Sequence, residues 1–140
     1  MTICKPARIF FITLLFFAVF SVKQSFSQSG KLFQKDTIEI TGNWIGSSLC
    51  QVKNSPCHDE TVEYYILKGD PGIYHVTMNK IVNGKLDFME TLDCVYDEST
   101  KTLSFSDNSK IWQFTMSHTS MDGILIWRDQ LYRKIHLEKK

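Results

Sequence analysis

The sequence predicts an all-β protein, an eight-stranded antiparallel up-and-down (meander) barrel, and three observations carry that prediction. Turn signals recur with centres near 70, 83, 98, 108, 119 and 129, a spacing of 10 to 15 residues. The segments between them alternate apolar and polar side chains with the two-residue period of half-buried strands, and no helical period competes. The links are also too short for parallel crossovers, so consecutive strands are antiparallel neighbours. Eight such strands leave two open edges unless the sheet closes on itself.

The elements follow in order. Thr37 to Cys50 reads as the first strand, and the polar stretch Gln51 to Glu60 follows it. Thr61 to Lys68 is rich in β-formers and ends at Gly69-Asp70-Pro71-Gly72. Ile73 to Val82 runs into Asn83-Gly84, a dipeptide whose residues both tolerate positive φ and so favour a two-residue hairpin. Lys85 to Tyr96 is the return strand. Thr102 to Ser106, Ile111 to Ser117, Met121 to Trp127 and Leu131 to Leu137 complete the eight.

Alternation assigns the faces. Leu86, Phe88, Leu92, Cys94 and Tyr96 share one side of their strand, as do Trp112, Phe114 and Met116 of theirs. Gly123, Leu125 and Trp127 continue the pattern, and Leu131, Arg133, Ile135 and Leu137 close it. Two ionisable residues, Glu90 and Arg133, fall on these inward faces, where each needs a partner.

Residues 1–27 read as a leader outside this fold. Lys5 and Arg8 precede a 14-residue apolar run, Ile9 to Val22, and Ser25-Phe26-Ser27 places small side chains before a cut at Gln28. The run falls short of the roughly 20 apolar residues of a membrane span. Cys4 precedes it, which argues against a lipoprotein. Residues 28–36 form a polar lead-in, and 37–140 form the barrel domain. Cleavage leaves 113 residues, enough for one modest core. The formal charge of +1 falls to −2 without Lys5, Arg8 and Lys23. No basic stripe remains, so neither nucleic acid nor a membrane surface is expected as partner. An exported monomer, periplasmic or extracellular, is the expectation.

Gly42-Asn43-Trp44 on the first strand and Leu131-Tyr132-Arg133 on the last resemble the lipocalin-related (calycin) barrels. The first strand of those barrels carries Gly-x-Trp, and a basic residue near their C-terminus packs on the tryptophan. The resemblance spans about residues 38–138 and implies that Arg133 lies over Trp44 and seals one end of the barrel. The chain lacks a C-terminal helix and a faithful Thr-Asp-Tyr loop, and its length is nearer that of avidin-type barrels or bacterial metalloprotease inhibitors.

Chemistry-bearing residues are few. Cys50 and Cys57 bracket six residues and read as a disulfide in an exported chain. The alternatives are a metal or haem site at Cys57, His58, Asp59 and Glu60, or a Cys50–Cys94 pair. Asn54 stands where haem attachment would need its first cysteine. With Cys57 paired, Cys94 is a buried small hydrophobe. His58, His75, His118 and His136 lack zinc-motif spacing. No nucleophile elbow or phosphate-cradling glycine loop occurs, so no enzyme, cofactor or metal is expected.

Glu90 carries two readings, a mouth carboxylate exposed or paired with Arg133, and a ligand-orienting group. Tyr64, Phe88, Trp112 and Trp127 are candidate ligand walls, and equally core filling. The expected function is non-catalytic binding of a small apolar or amphipathic ligand at the barrel mouth. Its rival is a protein-interaction module, such as a protease inhibitor, built on a side-chain-filled barrel.

Overall fold

The computed structural model describes residues 37–140; the expected leader and lead-in lie outside them. Eight antiparallel strands form one closed barrel in sequence order: β1 (Gly42–Cys50), β2 (Glu60–Lys68), β3 (Ile73–Val82), β4 (Lys85–Asp97), β5 (Thr102–Ser106), β6 (Lys110–Met116), β7 (Ser120–Trp127) and β8 (Gln130–Lys139). The described residues contain no helix. β1 pairs with β8 from Trp44↔Lys139 to Cys50↔Arg133, which closes the sheet. The first strand starts later than expected, since residues 37–41 lie outside the ladder, and the other strand ends fall within two residues of their expected places.

Local chemistry explains the closure. Asn83 and Gly84 take φ of 50° and 75°, the mirror-image turn that matches strand twist. Gly46 lets β8 approach, because a Cβ there would sit 2.1 Å from the His136 carbonyl oxygen. Inward residues fill most of the interior: Trp44, Val62, Tyr64, Ile66, Val76, Met78, Leu103, Phe114, Met121 and Leu137 are all buried. Tyr64 meets Phe114 edge-on at 6.2 Å, and Trp112 stacks on Phe114 at 5.9 Å.

Two β-bulges correct the predicted faces. The β3–β4 register jumps from Met78↔Glu90 to Asn79↔Phe88, leaving Met89 as the extra residue. Leu92 and Cys94 point inward as expected, but the slip turns Phe88 and Leu86 outward, 63% and 57% exposed. Met89 packs against the core instead. A second bulge, at Leu125↔Arg133 followed by Ile126↔Leu131, makes Tyr132 the extra residue. Leu131 is therefore exposed, while Tyr132 packs inward.

β4 is unevenly supported. It pairs with β3 along its length but with β5 only at Val95, Tyr96 and Asp97. Among the described residues, the span 85–94 therefore has a strand partner on one side only.

Candidate functional site

The two ends of the barrel differ in chemistry. At one end, residues 37–41 precede β1 and contribute Ile38 and Ile40 to the core. The Trp44 indole N–H donates to the Ile40 carbonyl at 2.9 Å. The cation over this indole is Lys139, at 5.4 Å from the ring centre, and its ammonium also donates to the Glu39 carbonyl.

The expected Arg133–Trp44 contact is thus corrected. Arg133 pairs with Cys50 in the ladder, six residues along β1 from Trp44 and therefore about 20 Å away. Its guanidinium lies at the other end. It donates to the Ser48 hydroxyl at 3.2 Å, to the Ser48 and His58 carbonyls at 3.3 Å, and pairs with Glu60 at 3.1 Å. Its ring partner is Tyr132, at 5.7 Å. Arg133 therefore laces β8, β1 and the start of β2 together.

Above it sits the loop closed by the Cys50–Cys57 disulfide. The Asp59 carboxylate accepts the Cys50 amide at 2.8 Å, folding the loop back. Cys57, Asp59 and Glu60 are thus committed to partners, and no group of three metal-binding side chains occurs among the described residues. Cys94 is a buried free thiol. Burial first, then the charges of Asp93 and Glu90, push its pKa up to about 12, so it is a small hydrophobe and not a nucleophile.

Between these groups lies a cavity of about 210 Å³ at the open end, lined by Ser48, Glu60, Tyr64, Lys80, Met89, Glu90, Trp112, Leu125 and Arg133. Tyr64, Trp112, Met89 and Leu125 supply ring and apolar surface, and the charged residues complete the wall. Glu90 pairs with Lys110, and not with Arg133. Lys110 also lies 5.8 Å over the Phe105 ring. Lys80 pairs with Asp87 at 3.3 Å. Burial pushes the Tyr64 phenol up; Arg133 opposes this, and Glu60 and Glu90 reinforce it, so the hydroxyl stays protonated.

Of the expected lining residues, the cavity brings together Tyr64, Glu90 and Trp112. Phe88 is outside, for the bulge reason given above. Trp127 stands at the rim, 40% exposed, edge-on to Tyr132 at 5.3 Å with Arg128 4.7 Å over its ring. It lines a neighbouring depression with Lys110, Leu125 and Tyr132. Alternation missed Met89, Lys80, Glu60 and Ser48. The adjacent apolar pair Phe88-Met89, which breaks the two-residue period, was the available signal for the first of these.

His75 and His136 each meet a cross-strand carboxylate on the outer surface: Asp93 at 2.6 Å and Asp122 at 2.7 Å. The hydrogen bond to Asp122 raises the His136 pKa above its ordinary value.

No family model, curated protein or solved structure matches this chain, and its closed eight-stranded antiparallel meander is consistent with a lipocalin-like fold.

Proposed function

We propose that the protein is an exported, non-catalytic binding protein that holds a small amphipathic ligand in the cavity at the open end of its barrel. The observation that carries this reading is one space of about 210 Å³ with an aromatic and apolar wall beside fixed, paired charges. Such a mixture of apolar surface and few placed polar groups is the general character of small-molecule sites. The Cys50–Cys57 disulfide is compatible with export to the periplasm or beyond. A leader cut before Gln28 and a lipocalin-type kinship belong to the same proposal. Native mass spectrometry of the protein from its own host tests it. A reproducible small-molecule adduct lost on denaturation is expected, and a bare monomer overturns it.

The rival protein-interaction reading draws support from β4. Its one-sided span 85–94, with Leu86 and Phe88 exposed, has the character of an edge that accepts an added strand. A protein captured in place of a small molecule, and released by Phe88→Lys, favours this alternative.

A further inference from the structure

The cavity does not end at Leu125. Trp112 stands opposite Leu125 in the β6–β7 ladder, and one step nearer the mouth Lys110 stands opposite Trp127. Side chains two residues apart on a strand share a face and lie about 7 Å apart along it. Trp127 therefore prolongs the cavity wall outward from Leu125. The rim depression lined by Lys110, Leu125, Trp127 and Tyr132 holds about 220 Å³, as much again as the cavity, and Leu125 lines both.

An ion pair marks the same boundary. Glu90 lines the cavity, Lys110 lines the rim depression, and their side chains are bonded to each other. These side chains are 30% and 24% exposed, so the boundary is not sealed from water. The two spaces differ in chemistry. The cavity carries Glu60, Lys80, Glu90 and Arg133, charges that sum to zero and are each already paired. A hydroxyl suits that setting, because it donates to a carboxylate, accepts from a cation and brings no charge out of water. The rim depression offers Leu125 and two aromatic rings, with its one ammonium turned to Glu90. Its complement is apolar.

We infer that the cavity and the rim depression are two subsites of one elongated site. It takes a molecule with an uncharged polar end in the cavity and an apolar chain that runs past Leu125 to Trp127 and Tyr132. Trp127 is then the residue that sets which chain lengths gain affinity. This rests on the binding function proposed above and adds the ligand's shape and chemistry.

The straight-chain alcohols 1-butanol, 1-hexanol, 1-octanol and 1-decanol test it by titration calorimetry on the protein as its host makes it. A space of roughly 150 Å³ takes up benzene, so the cavity alone suits about six carbons and longer chains must use the rim. Affinity is expected to rise about 2- to 4-fold per methylene through 1-decanol, as for methylenes leaving water. Trp127→Ala is expected to leave 1-butanol unchanged and to weaken 1-decanol about 5-fold or more. Iodide quenching of fluorescence gives a second reading that needs no variant, because Trp127 is 40% exposed while Trp44 and Trp112 are buried. Shielding by 1-decanol and none by 1-butanol is expected. A rise in affinity that stops at 1-hexanol overturns the inference. So does an unshielded indole, or a Trp127→Ala variant that binds 1-decanol unchanged or loses short and long alcohols alike. If no alcohol binds, the inference falls as well, and the binding function falls with it only if native mass spectrometry also finds no adduct.

Discussion

The two ends of this barrel solve the same closure problem with different means. At the closed end, Trp44 fills the interior, Ile38 and Ile40 pack beside it, and the single buried polar atom of the indole finds the Ile40 carbonyl. At the open end, the strands are held by charges and a covalent loop: Arg133 with Glu60, Glu90 with Lys110, and Cys50 with Cys57. Apolar burial is non-directional and needs only volume, so it fills an end completely. Ion pairs need geometry and partial solvation, so they hold a rim while leaving space between them. The cavity lies where the second solution replaces the first.

Substitutions at either end can break this contrast. The largest effect is expected at the closed end: Trp44→Ala removes a fully buried indole and should cost about 3–5 kcal/mol in denaturant unfolding. Arg133→Ala comes next, at about 3 kcal/mol, because it strands Glu60 in a mostly buried position. Adding Glu60→Gln should recover part of that loss, and a double variant as weak as the sum of its parts would show that the pair is not coupled. Cys57→Ser opens a loop of about eight residues and should cost about 2.5 kcal/mol on chain-entropy grounds. If Trp44→Ala proves milder than the two open-end changes, the division between packed end and laced end is wrong.

The smallest effect is a pH dependence on the barrel wall. The His136 pKa is raised in the folded protein by its hydrogen bond to Asp122. Its contribution is therefore complete below the ordinary histidine value and disappears as pH rises through the raised folded one. The group is exposed, so the effect should be slight. His136→Gln should flatten the melting temperature between those two values, and an unchanged slope would remove the pair from the account.

Much of the fold was legible because it depends on short-range signals. Asn83-Gly84 specifies its hairpin locally, and the alternation of Trp112, Phe114 and Met116 specifies a face. Closure of β1 on β8 followed from strand count and link length alone. The site was legible only in part, because alternation assumes an unbroken period. One extra residue at Met89 turned Phe88 out of the barrel, and one at Tyr132 did the same to Leu131. Both bulges sit at adjacent apolar pairs, Phe88-Met89 and Leu131-Tyr132, the local mark of a broken period. The misassigned Arg133 had a different origin. Which basic residue of β8 reaches Trp44 depends on register, and Lys139 stands opposite it across the ladder.

The placement of the cysteines also orders events in oxidative folding. Cys50, Cys57 and Cys94, the cysteines of the described residues, can pair in three ways. In an unstructured chain, joining Cys50 to Cys57 spans 7 residues of separation, whereas joining Cys50 to Cys94 closes a far longer loop. The difference in closure entropy favours the native pair by roughly 1.5 kcal/mol, or about tenfold, before any strand has formed. Once the barrel assembles, Cys94 is buried with its thiol held protonated, and it drops out of exchange chemistry. Chain statistics choose the bond, and the core then locks away the third sulfur of the described residues.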